Sequence, residues 1–300
     1  MTSHRHWLGV VALLLVAPKA FALQVFACEP EWAALVQELG GDRVAVFSAT
    51  TALQDPHRIE ARPSLIAKLR QADLLVCTGA DLEAGWLPML LRKAANARVQ
   101  PGRPGHFLAA GQVTLKDVPA RLDRADGDVH AAGNPHIQTD PRNITHVAAV
   151  LAARLAEVDP AGAPVYAERH AAFARGWDAA LRRWEAQAAP LRGVPVVVQH
   201  KSWVYLLDWL GLVEVAALEP RPGVPPSSGH LAGVLATLRV QPAKLVLHAA
   251  YQDARPSEWL AQQTGIARVE LPFTVGGSAG AQDLQGLFDD TLARLLGALR

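Results

Sequence analysis

Cysteine is nearly absent: the 300 residues hold two, Cys28 and Cys77. No C-x-x-C spacing exists, which removes the thiolate zinc sites and dithiol redox motifs that need it. Beyond the N-terminus no apolar run reaches the roughly 20 residues of a membrane-spanning helix. Charge of one sign is missing too, since 29 Lys and Arg face 28 Asp and Glu for a net +1. That balance builds no basic field for nucleic acid or anionic lipid. There is no H-E-x-x-H, the spacing that pairs zinc ligands with a general base. No repeat of solenoid period occurs.

What is present starts with an address. His4, Arg5 and His6 form a basic segment, residues 7–16 an apolar one, and Ala20-Phe21-Ala22 a small-x-small cleavage site. Residues 1–22 therefore read as a signal peptide, cut after Ala22, with export to the periplasm. A lipoprotein acylated at Cys28 fits less well, because Phe26 is bulky where a small residue is usual. Cleavage removes Arg5 and Lys19 and no acidic residue, which leaves a net charge of −1. Half of the residues are hydrophobic, enough for one large domain or two lobes.

Strand-like apolar runs (23–27, 44–47, 73–77) alternate with helical patterns (30–39, 64–72, 82–95), which predicts a parallel sheet with helices on its faces. Residues 100–134 are rich in Gly, Pro and Asp and weak in periodicity, and read as a long loop. Helical spacing resumes over 143–157 and 164–188, the second a helix of roughly 37 Å at ~1.5 Å per residue. Strands over 194–199, 213–218, 244–248 and 268–271 then alternate with helices over 202–209, 227–238, 256–263 and 283–299. The expected fold is α/β, two Rossmann-like lobes with parallel sheets joined by one long backbone helix. Its parts are an N-terminal lobe over 23–162, a linking helix over 163–190 and a C-terminal lobe over 191–300. Cys28 and Cys77 each end a strand; they can pair if those strands are neighbours, and are otherwise two buried thiols. The eight tryptophans read as packing.

Three histidines stand where such folds present side chains to a cleft. They are His57 in Asp55-Pro56-His57, His136 in Gly133-Asn134-Pro135-His136, and His200 after the apolar run Val196-Val197-Val198. Neutral imidazole is the commonest protein ligand for zinc, and three imidazoles are a recurrent set. A zinc-binding cleft is the expectation.

These motifs, the signal peptide, the 72–83 stretch that ends in Leu82-Glu83, and the long helix occur in an order that resembles a known family. It is the metal-binding solute-binding proteins of ABC importers, cluster A-I, and the similarity covers nearly all of the mature chain. The resemblance implies zinc as transported ligand, held by His57 and His136 from one lobe and His200 from the other, and passed to a membrane permease. In this family histidine at the third position goes with zinc and carboxylate with manganese or iron, which agrees with the ligand preferences of those ions. It further implies a monomer without catalytic activity, with a periplasmic metallochaperone as a possible donor and no nucleic acid.

Two departures from the pattern stand out. Relatives often supply a late Asp-Pro carboxylate, but this chain reads Glu270-Leu271-Pro272-Phe273 there. Asp283 is the nearest acidic candidate for a fourth ligand, and equally suits the N-cap of the last helix. The loop before His136 carries only Asp123, Asp126, Asp128 and His130, and His130 reads as a solvated loop residue. Two other readings remain open at this stage: a manganese or iron binder of the same family, and a three-histidine zinc hydrolase, which needs an open coordination position and a nearby acid or base.

Overall fold

The computed structural model describes residues 22–120 and 130–300. The signal-peptide reading and Asp123, Asp126 and Asp128 fall outside them. The N-terminal half runs β1 (Leu23–Ala27), α1 (Pro30–Gly40), β2 (Val44–Ser48), α2 (Pro63–Gln71), β3 (Leu74–Cys77), α3 (Leu87–Ala94), β4 (His106–Leu108) and α4 (Pro141–Val158). Its sheet has the order β2-β1-β3-β4, all parallel. After α5 (Ala163–Gln187) come β5 (Pro195–Val198), α6 (Val204–Leu210), β6 (Val213–Ala217), α7 (Ser228–Val240), β7 (Leu245–Ala249), α8 (Arg255–Thr264), β8 (Ala267–Leu271) and α9 (Leu284–Gly297). The second sheet repeats the order as β6-β5-β7-β8, again parallel. The expected two-lobe α/β architecture is present, and among the described residues no helix is long and apolar enough to cross a membrane.

Two elements differ from the sequence reading. β4 lies in the stretch read as loop; three residues are too few to show alternation, and only pairing with β3 makes them a strand. The helix expected over 82–95 starts five residues late. Gly79, Ala80 and Asp81 have positive φ, and the Glu83 carboxylate accepts from the Thr78 and Gly79 amides, so the chain folds as turns until Pro88 opens α3.

The long helix works as a spine. One face of α5 packs on α1 and α4 and another on α9. Trp177 meets Trp184 and Phe288 edge-on, and Trp209 closes the group from α6. Both α5 indoles are anchored, Trp177 Nε1 to Pro141 O (2.9 Å) and Trp184 Nε1 to Asp289 Oδ1 (2.6 Å), as buried indoles require. One apolar core runs through both lobes and this joint, with a smaller cluster in each lobe. Shared burial of that kind resists wide separation of the lobes.

Cys28 and Cys77 are bonded, with their Cα atoms 4.8 Å apart. Adjacency of β1 and β3 puts them there, since Ala27 pairs with Val76 one residue earlier on each strand.

Between the lobes lies a cluster of buried carboxyls. The Thr274 hydroxyl, after β8, donates to Glu31 Oε2 of α1 at 2.5 Å. Trp32 Nε1 donates to Thr78 Oγ1, which donates to Glu29 Oε2. Burial pushes Glu31 up to about 7 against the pull of Thr274, and Glu83 up to about 7 against its backbone amides. Burial and then the Glu83 charge hold Glu29 well above the carboxylate range. A carboxyl raised in this way binds more protons folded than unfolded. Its contribution is complete below the unfolded value and disappears as pH rises through about 7. For Glu31 that is on the order of 3 kcal/mol. Glu31→Gln, which keeps an acceptor for Thr274, is expected to gain stability relative to the parent between pH 5 and pH 8. Urea midpoints at the two pH values measure this, and parallel curves would contradict it.

Candidate metal centre

Each histidine is positioned by local chemistry. After β2, Pro56 stiffens a turn in which Asp55 Oδ1 accepts from the His57 amide (3.0 Å) and lies 2.8 Å from His57 Nδ1. His136 follows a turn that needs Gly133, whose φ is 119°. Asn134 Oδ1 accepts from the His136 amide, while Asn134 Nδ2 donates across the cleft to Lys201 O (2.7 Å). Tyr205 of α6 donates to Asn134 O (2.6 Å), so the second lobe holds the turn of the first. His200 leaves β5 at its carboxyl end, where open α/β sheets bind ligands. Its Nδ1 lies 2.7 Å from Glu219 Oε2, an oxygen that also accepts from the Gly223 amide.

The three rings converge. Centroids are 5.2 Å apart for His57 and His136, 5.9 Å for His57 and His200, and 5.8 Å for His136 and His200. One ring nitrogen from each lies within 4.8 Å of the other two. Tetrahedral donors at the usual zinc–nitrogen bond length sit about 3.4 Å apart, so a small closure completes the set. His57 Nε2 and His136 Nδ1 are buried without a hydrogen-bond partner, at a cost of about 1–3 kcal/mol each that a bound cation offsets. Burial first, and then His57, His200 and His130, push the His136 imidazole well below its usual value. It stays neutral, the form that binds metal.

Asp55 and Glu219 fix the tautomers. A carboxylate on Nδ1 leaves Nε2 as the bare donor and raises its basicity, the usual arrangement behind a metal-binding histidine. His57 holds Asp55 below the usual carboxylate range despite the upward pull of burial. Glu219→Gln is expected to weaken metal binding 10- to 100-fold, or about 1.4–2.7 kcal/mol, while leaving the fold intact. A zinc competition titration checks it, and an unchanged constant would reduce Glu219 to a turn residue.

Asp283 is not among the histidines. Its Oδ1 accepts from the Gly286 amide at 2.7 Å, which makes it the N-cap of α9, and it lines a groove with Glu38 and Arg169. The capping bond satisfies an otherwise unpaired helix amide and keeps the carboxylate there. His130 also departs from its reading as a solvated residue. It is half-buried with its ring 5.3 Å from His57 and 6.4 Å from His136, because the chain turns back over the site to reach Gly133. Glu270 faces His248 instead of the cleft. The sequence reading missed both outer carboxylates. Asp55 was detectable as an Asp two residues before a histidine across a proline; Glu219 carries no such signal.

Comparison with known proteins decides the lineage. The profile of the family described as zinc-uptake complex component A, periplasmic, matches residues 25–298. The chain belongs to that family. This places the family member among metal-binding substrate-binding proteins of ABC importers. It is 26% identical over 238 residues to the high-affinity zinc uptake system protein ZnuA of Paracoccus denitrificans, covering 68% of this chain and 69% of that one. It is 25% identical over 238 residues to the iron-binding protein YfeA of Yersinia pestis, covering 77% and 70%. Against the streptococcal lipoprotein ScbA of Streptococcus cristatus the match spans about half of each chain, 50% and 46%, at 26% identity. Among solved structures, the crystal structure of ZnuA superposes with a TM-score of 0.77 at 23% identity, covering 93% of this chain and all of that one. FpvC of Pseudomonas aeruginosa in complex with Mn2+ superposes at 0.76 and 20% identity, covering 92% and 98%. Homologues and structural neighbours of the family member are solute-binding proteins, so the hydrolase reading lapses.

Proposed function

We propose that this protein captures zinc in the periplasm through His57, His136 and His200 and delivers it to the permease of an ABC importer. The observation that carries the reading is the convergence of three buried imidazoles, two of them backed by carboxylates on Nδ1. Carboxylate-rich sites suit manganese, and three nitrogen donors suit zinc. Here the acidic groups sit behind the imidazoles and leave nitrogen to face the metal. The zinc uptake protein of Paracoccus denitrificans supports the same choice.

In this reading residues 1–22 direct export and are removed, 23–162 and 191–300 bind from opposite sides, and 163–190 link them. The buried disulfide suits an oxidising compartment. The protein acts as a monomer, with a metallochaperone as an upstream donor. His57 and His136 meet the ion from one lobe and His200 from the other, so zinc closes the cleft and draws Asp55 and Glu219 into its charge balance. The spine helix limits that motion to small shifts.

The test is calorimetric titration of the chelator-stripped mature protein with zinc and with manganese. One zinc per chain, bound more tightly than manganese, is the expected result. Equal or stronger manganese binding would transfer the cargo assignment to that ion.

A further inference from the structure

Two contacts tie the segment after β8 to the first lobe, and they fall on neighbouring residues. Thr274 donates its hydroxyl to Glu31 Oε2 of α1 at 2.5 Å. Phe273 sets its ring edge-on to His136, with the centroids 5.3 Å apart. The same ring meets Trp203 and Tyr251 of the second lobe. A change at the Glu31–Thr274 contact is thus one residue away from a ring that packs on a candidate metal ligand.

Glu31 belongs to a group without counterions. Glu29, Glu31 and Glu83 are 3%, 1% and 3% exposed. Thr78 joins two of them, its hydroxyl donating to Glu29 and its amide to Glu83. Glu29 Oε1 is buried with no N–H or hydroxyl donor beside it. Glu29 and Glu83 are nevertheless hydrogen-bonded to each other, which two carboxyls achieve only when one holds a proton. Among the described residues the charges on the elements packed around α1 are engaged elsewhere. Arg169 of α5 donates to Glu38 O at the far end of α1, and Asp159 after α4 pairs with Arg43. Asp290 of α9 is held by Arg294 and the Ser278 hydroxyl. Protons, and no cationic side chain, keep this joint neutral.

Resting on the zinc reading above, we propose that Glu31 is a positioning residue of the metal centre. Protonated, it clasps Thr274 and holds Phe273 and the second lobe against His136; ionised, it draws in water and lets the lobes part. Its place in the first turn of α1 favours the anion once water reaches it. The clasped form keeps a proton that the parted form gives up to solvent. Fewer clasped molecules weaken the apparent zinc affinity in proportion. Clasped Glu31 is held up at about 7, so the clasp is complete at low pH and is lost as pH rises through about 7. The three imidazoles act in the opposite sense, because their protons compete with zinc at low pH.

Chelator competition with the full mature protein at pH 6 and pH 8 tests this against Glu31→Gln, which keeps an acceptor for Thr274 and cannot ionise. The ratio of the two zinc constants cancels the competition at the imidazoles. From pH 6 to pH 8 the affinity of the parent relative to Glu31→Gln is expected to fall at least about threefold, with about tenfold as the limit for a group that titrates near 7. Thr274→Val removes the donor that pulls Glu31 down without touching the carboxyls, and moves the fall to higher pH. Calorimetry in two buffers of different ionisation heat gives a second readout: near pH 7 the parent is expected to release fewer protons on binding zinc than Glu31→Gln does. Absence of zinc binding by the parent at both pH values would overturn the zinc reading and this inference with it. Zinc binding with a ratio that changes less than threefold, or with equal proton counts, would reduce Glu31 to a structural residue and leave zinc capture standing.

Discussion

His136→Ala is expected to lower zinc affinity on the order of a thousandfold. Structural zinc sites bind with about 10–16 kcal/mol at neutral pH, which divides to roughly 4 kcal/mol per donor, and about 4.1 kcal/mol is a factor of a thousand. His136 should be the most sensitive of the three. It is 1% exposed, so no water or buffer ligand reaches its place easily. Its ring packs edge-on to Phe273 at 5.3 Å, which holds it rigid. Its amide is fixed by Asn134, which also reaches the second lobe. The substitution also leaves a cavity of its own, so a thermal melt must accompany the titration to separate lost binding from lost structure. Zinc competition against a fluorescent chelator reads the result. Binding within tenfold of the parent in a folded variant would sink the assignment.

Removing the disulfide is expected to cost about 4 kcal/mol of stability. Cys28 and Cys77 are separated by 49 positions in sequence. The chain-entropy relation for a loop of that length gives about 4 kcal/mol, within the 2–5 kcal/mol usual for native bridges. Both sulfurs are fully buried in the smaller core of the first lobe, so alanine at both positions also leaves some unfilled volume. For a chain of this size 4 kcal/mol corresponds to a fall in melting temperature of roughly 7 °C. Calorimetric melting of Cys28→Ala/Cys77→Ala against the parent measures it. The crosslink also secures the root of the His57 loop, since Cys28 O accepts from the Thr50 amide and hydroxyl. An unchanged midpoint would mean that the β1–β3 pairing alone carries this region.

Much of the fold was readable because its signals are local. Strands such as Val196-Val197-Val198 and the spine helix declare themselves by apolar runs and spacing, and the observed helix Ala163–Gln187 lies within a residue of its expected bounds. β4 was not readable. A three-residue edge strand has no period, and its existence depends on β3 beside it. The segment from Gly79 to Trp86 carries helix-forming residues, yet Glu83 spends its side chain on the amides that a helix start would leave unpaired, and a turn results.

The three histidine motifs and their order, the α/β alternation and the spine follow from local stretches of chain, because each rests on neighbours within a few residues: Asp55 and Pro56 for His57, Gly133 and Asn134 for His136, the end of β5 for His200. Tertiary structure decided what surrounds those histidines. It brought Glu219 onto His200 across 19 positions, folded His130 over His57, kept Asp283 on its helix cap and sealed three carboxyls between the lobes. Those outcomes turn on which lobe faces which and on how much water each group loses. Neither quantity has a local signature in the chain.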